Sequence, residues 1–255
     1  MLFRDQLNRK INLLTVPRRI ISLVPSQTEL LVDLGLKELL AGITKFCVHP
    51  EDLKSEITVV GGTKKVHFDK IAALKPHLII CNKEENTLEM ISVLEKITPV
   101  WVSDIATIDD CLEMIQHLGA LLNVSEKAED IISKIISEKE DFKKFMANKP
   151  SKKVSYLIWK NPYMAAGKDT FIHSLLEENN FQNIISETRY PEISLEQLKE
   201  ADLILLSSEP YPFNEKDVLE LREKVNTNVQ RVNGEYFSWY GSRLQMAFWY
   251  FKTLH

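Results

Sequence analysis

Six histidines, three cysteines and a set of loop aromatics beside an arginine are the residues of this 255-residue chain whose types could carry chemistry. The histidines are scattered with no i,i+4 pair, so no helix presents two of them to one metal ion. His49 and His67 fall in predicted loops, where they could hold a bare metal ion together with a carboxylate; solvated loop histidines are the simpler account. Cys47, Cys81 and Cys111 are odd in number and widely spaced, which argues against a disulfide framework and for free thiols. No G-x-S-x-G, H-E-x-x-H, C-x-x-C or G-x-G-x-x-G occurs. The run Ala165-Ala166-Gly167-Lys168-Asp169 resembles the end of a phosphate loop, but it lacks the earlier glycine and has Asp169 where a magnesium-binding hydroxyl is required. Spacing assembles no nucleophile, base and orienter, so the expectation is a protein that is not an enzyme and has no cofactor or metal of its own.

Binding is better supported. Phe46, His49, Tyr163, Met164, Tyr236, Trp239, Tyr240 and Arg243 all fall at predicted strand ends or helix starts. In an open α/β sheet those positions face the crevice at the carboxyl ends of the strands. Aromatics beside an arginine form the wall and anchor of a pocket for a large, partly apolar, partly anionic ligand. Phe248 and Phe251 read instead as packing of the last helix; for Tyr236, Trp239 and Tyr240 packing and pocket both stay open.

The elements that must position these residues follow from periodicity. Ser125 to Met146 places Ala128, Ile131, Ile132, Ile135, Ile136, Phe142, Phe145 and Met146 at the three-and-four spacing of one helical face. Glu126 suits the positive end, Lys143 and Lys144 the negative end, and Lys149-Pro150 stops the helix. Strand-helix alternation lies on both sides of it, so it reads as a bridge between two α/β lobes rather than as one more packing helix. Lobes over 1–122 and 150–255 with a bridge over 123–149 result. In the first lobe, strands are predicted at 19–24, 39–43, 57–60, 78–81 and 100–103, and helices at 68–74, 85–97 and 107–122. Pro25 is expected to end the first strand, with Ser26 and Glu29 forming a capping box for the following helix. In the second, strands are predicted at 154–159, 203–206 and 230–232, and helices at 170–179, 194–199, 215–224 and 242–254. The segments 68–80 and 195–206 share a plan of acidic residue, short helix and buried strand.

A net charge of −4 gives no footprint for nucleic acid, and no apolar run is long enough to span a bilayer. The first residues lack the pattern of a signal peptide, which leaves a cytoplasmic chain or a leader that is not present as readings.

RRIISLVPSQTELLVDLGL, LLAGITKFCVHP and FDKIAALKPHLII, continuing through KNPYMAAGKDTFIHSLLEENNFQNI and SLEQLKEADLILLSS, resemble the substrate-binding proteins of cobalamin, haem and iron-siderophore ABC importers. The resemblance covers nearly the whole chain. It implies two Rossmann-like lobes with mostly parallel sheets, one long backbone helix, and a ligand cleft between the lobes. It further implies a monomer, in the periplasm or at the cell surface, that binds a metal chelate and delivers it to an importer permease. Asp69 and Glu196 match the family's permease-docking carboxylates, although an acid in a first turn suits any helix dipole. Thr63 and Asn82 stand where cobalamin binders carry cleft tryptophans, while Lys45, Lys64, Lys65, Lys83 and Arg243 would suit an anionic ferric chelate. The rival from another class is a cytoplasmic chelate-handling protein or a chelatase-like enzyme, since such lobes serve both.

Overall fold

The computed structural model describes residues 1–255. Two compact units emerge: Met1–Asp104 with Asp109–Ile135 and Tyr240–Arg243, and Ile105–Ile108 with Ile136–Trp239 and Leu244–His255.

In the first unit five parallel strands line up in the order Thr58–Val59, Leu40–Ile43, Ile20–Ser22, Leu78–Asn82, Val100–Ser103. Ile20–Ser22, Leu78–Asn82 and Val100–Ser103 are buried throughout, which is why they read as continuous apolar runs rather than alternating ones. Ile21, Leu23, Ile71, Ile79, Leu94 and Val102 are among the residues of one of its cores.

The second unit has four parallel strands in the order Phe181–Asn183, Lys152–Trp159, Leu203–Ser207, Asn228–Val232. Met164–Ala165 adds antiparallel to Lys152–Trp159 with a register shift between Leu157 and Trp159. The shared plan of the two segments is realised: helix Phe68–Ala73 precedes strand Leu78–Asn82, and helix Leu195–Leu198 precedes strand Leu203–Ser207.

The helix Ser125–Met146 forms over the predicted residues, about 33 Å at 1.5 Å per residue. The boundary between the units falls within it, between Ile135 and Ile136. Within the first unit its Ala128, Ile131 and Ile135 are buried, and Gly119 permits the close approach: a Cβ there would lie 2.5 Å from that of Ala128. Within the second, Phe142 is enclosed by Phe248 and Phe251, with ring centroids 5.7 and 5.9 Å away. No helix is long and apolar enough to cross a membrane.

Several local expectations are corrected. The helix predicted to start at Ser26 runs Pro25–Asp33, with Val24 as N-cap and no side-chain cap bond, so there is no capping box with Glu29. The fixed φ of proline suits the first helical position, and the N–H it lacks would be unpaired there anyway. The helix predicted over 85–97 spans only Leu88–Leu94. The N–H groups of Glu84 and Glu85 are held by the Asn82 side chain, and Thr87 caps the start. The last helix is Leu244–Lys252, shorter than predicted at both ends. An N-terminal hairpin, Leu2–Arg4 against Lys10–Asn12, was not expected. Helix Leu195–Leu198 carries a capping box, with Ser194 and Gln197 as its partners.

Candidate functional site

The carboxyl edge of the first unit's sheet gathers the loops that follow Leu40–Ile43, Thr58–Val59 and Leu78–Asn82. Phe46 sits on the first of these. Its N–H donates to Thr44 Oγ1 at 3.2 Å, and the neighbouring Lys45 N–H donates to the Gly61 carbonyl at 2.8 Å. The second of these bonds ties the two loops together. Gly62 lies under the ring, where a Cβ would come 3.2 Å from Phe46 Cε2. Phe46 remains 49% exposed, and the Lys45 ammonium lies 4.9 Å from its ring centroid. The half-exposed phenyl ring thus presents apolar surface beside a positive charge. Lys65 is also exposed here. Lys83 and Lys64 are already engaged: Lys83 Nζ pairs with Asp104 at 2.6 Å, and Lys64 Nζ donates to the Glu84 carbonyl.

Asn82 and Thr63 also stand at this edge, the first buried and the second half-buried. Asn82 is buried; its Oδ1 accepts from the N–H groups of Glu84 and Glu85 at 2.8 and 3.1 Å, and its Nδ2 donates to Ser103 Oγ at 3.0 Å. The Thr63 carbonyl accepts from Asn86 Nδ2 at 2.8 Å, which fastens one loop to the next. His49 is half-buried beyond Phe46. No three His, Cys, Asp or Glu side chains come together as a metal-holding group, so His49 and His67 are not brought into a ligand set with a carboxylate.

Arg243 is corrected from open anchor to buried partner. It is 6% exposed, and its Nε and Nη2 donate to the two carboxylate oxygens of Glu29 at 2.9 and 2.6 Å. This two-pronged bond uses the fork geometry of the guanidinium fully. Burial pushes the Glu29 carboxyl above its usual range, against the opposing pull of Arg243. Tyr240 is buried as well, with its hydroxyl 3.4 Å from Gln27 Nε2, and burial raises that phenol well above its ordinary value. Gly241, at φ 111°, donates its N–H to Cys111 Sγ at 3.0 Å. Tyr240 and Arg243 therefore hold their segment within the first unit.

On the second unit, Trp239 is buried and its Nε1 donates to Glu209 Oε1 at 2.9 Å. Tyr236 stacks on Tyr250, with centroids 4.7 Å apart and planes at 22°. Tyr163 is half-buried against the core of this unit. Beside it Lys160 bonds Asp217 at 2.7 Å and Glu220 at 2.6 Å, and Glu220 also meets Lys224 at 2.6 Å. Bonds from both lysines hold the Glu220 carboxyl down at about 2. Met164 pairs across with Trp159. Trp159 and its neighbour Tyr211 are absent from the sequence-based candidates; the available signal was a large aromatic closing the run Val154–Trp159.

Asp69 and Glu196 lie in the first turns of Phe68–Ala73 and Leu195–Leu198. Both are exposed; Glu196 is 81% exposed and reaches only its helix neighbour Lys199, at 2.7 Å. Each stands at the positive end of its helix, where a carboxylate is favourable.

A family model described as periplasmic binding protein matches residues 20–229. An uncharacterized ABC transporter substrate-binding lipoprotein of Bacillus subtilis is 24% identical over 191 residues, a match that takes in 72% of this chain and 60% of that protein's length. A vitamin B12-binding protein of Pectobacterium atrosepticum is 24% identical over 242 residues, 91% of this chain and 86% of the relative. Among solved structures, a periplasmic heme-binding protein from Roseiflexus sp. in its apo form is similar with a TM-score of 0.79 at 16% identity, over 91% of this chain and 95% of that one. Likeness at that identity concerns the fold.

Proposed function

The chain belongs to the periplasmic binding protein family, and from that premise we propose that it captures a metal chelate and delivers it to the permease of an ABC importer. The chelate is a haem, a corrinoid or a ferric siderophore, and capture takes place in the periplasm or at the cell surface. The observation that carries this reading is the carboxyl edge of the first sheet. There Phe46 stands half in water beside Lys45, propped by Gly62, on loops fastened to one another by backbone and amide bonds. Such an edge recognises a bulky ligand by shape and charge and performs no chemistry on it. The vitamin B12-binding and heme-binding names of similar proteins support the same ligand class.

Delivery rests on Asp69 and Glu196. Each is an exposed first-turn acid on a short helix that precedes a buried strand, one in each unit. Exposed charges of this kind govern encounter rate and salt dependence more than fold stability. Asp69→Ala combined with Glu196→Ala is therefore expected to leave the melting midpoint within about 2 °C and chelate affinity unchanged. Association with the cognate permease in reconstituted vesicles should fall by about ten-fold at low salt. Undiminished association in the double variant would remove the docking assignment.

A further inference from the structure

We propose that Trp159 is a ligand-contacting residue, the aromatic wall that the second unit offers to the chelate; the proposal rests on the chelate-binding reading above. Trp159 closes the strand Lys152–Trp159, so it stands at the carboxyl edge of the second sheet, the edge at which open α/β sheets meet their ligands. It is 41% exposed. A scattered exposed aromatic would be unremarked on any surface, but this one is fixed in place. Its ring meets Tyr211 edge-on, centroids 5.6 Å apart at 70°, and Tyr211 in turn meets the buried Phe213 at 4.7 Å and 61°. The Tyr211 N–H donates to the Ile158 carbonyl at 3.2 Å, which locks the supporting ring to the backbone beside Trp159.

The backbone is also shaped at this residue. The pairing of Lys152–Trp159 with Met164–Ala165 slips between Leu157 and Trp159, so Trp159 faces Met164 out of regular register. Bulges of this kind re-aim a side chain and cluster beside functional sites. A propped indole, on a residue paired across the strands with Met164, offers a polarisable, apolar face to a flat conjugated ring or a bulky apolar ligand edge. Trp249 provides the contrast: it is 67% exposed on the helix Leu244–Lys252, without a bulge.

The test uses the full chain with hemin, cyanocobalamin and ferrichrome as probes. First, tryptophan oxidation of the unmodified protein is mapped by mass spectrometry with and without each probe that binds. Trp159 should be protected on binding, while Trp249 should be oxidised equally in both states. Second, dissociation constants are compared. Trp159→Ala should weaken the bound probe by about ten-fold, Trp159→Phe by no more than about three-fold, and Trp249→Ala not at all. Rescue by phenylalanine separates a ligand contact from a merely structural role. Where the alanine variant does not fold, the protection map of the unmodified chain decides. A probe that binds while Trp159 stays unprotected, or binds equally well to Trp159→Ala, overturns the proposal and leaves the chelate reading standing. Failure of all three probes to bind the unmodified chain counts against the chelate reading itself and takes the proposal with it.

Discussion

Arg243→Ala is expected to destabilise the protein by about 3–5 kcal/mol at neutral pH, because it strips the partner from a buried carboxylate. Arg243 is 6% exposed and binds both oxygens of Glu29. With the guanidinium gone, Glu29 must stay charged in a desolvated site or take up a proton. Its carboxyl is already raised by burial, with Arg243 the chief opposing influence, His49 a weaker one and Asp33 adding to the rise. Removing Arg243 therefore raises it further. The sign follows from linkage. A carboxyl whose folded-state value is raised binds more protons folded than unfolded, so its penalty grows as pH rises from the ordinary value of about 4.5 through the folded value. The alanine variant should thus lose most stability at pH 8 and recover part of it toward pH 5. Glu29→Gln in the Arg243→Ala background should recover stability at pH 8 by removing the charge. Denaturant unfolding across that pH range measures all three, and a pH-independent loss under 1 kcal/mol would show that the pair is not what holds Tyr240–Arg243 in place.

Phe142→Ala is expected to cost about 3–5 kcal/mol, the range for emptying a fully buried phenylalanine site. The ring is 1% exposed and packs on Phe248 and Phe251 in the second unit. Ile136, on the same helix, is 42% exposed, so Ile136→Ala should cost under about 1 kcal/mol. The comparison separates loss of packing from loss of helix propensity, since both changes install the best helix former. Thermal unfolding should show the Phe142 variant roughly 10 °C below the Ile136 variant. Equal midpoints would mean that Phe142 does not anchor the second half of the helix.

The α/β architecture and the helix Ser125–Met146 were legible because their signals are repeated. Apolar residues recur at helical spacing over six turns, and buried strands recur between amphipathic segments. Single-residue signals fared less well. Ser26-x-x-Glu29 matched a capping box in the sequence, yet the preceding Pro25 took the first helical position and freed Glu29 for a partner 214 residues away. No local pattern announces such a pair, which is why Arg243 read as an open anchor. The N-terminal hairpin depends likewise on the buried Asp5, whose carboxylate accepts from Arg9 Nη2 at 2.6 Å and from the distant Val102 N–H at 3.2 Å. Trp159 escaped because a strand's last residue looks like its others until the pairing with Met164 slips. The loop that carries Phe46 and the helix starts that carry Asp69 and Glu196 were legible, since turn chemistry and helix starts are local properties.

The central claim, that this chain binds a metal chelate, is tested most directly by thermal unfolding of the full chain with cobalamins, haem and ferric siderophores. A true ligand at 100 times its dissociation constant adds about 2.7 kcal/mol, which for a chain of this size raises the midpoint by roughly 5–10 °C. One member of that panel should produce such a shift, rising with the logarithm of its concentration. A midpoint that no member moves, at concentrations that saturate micromolar binding, would contradict the account.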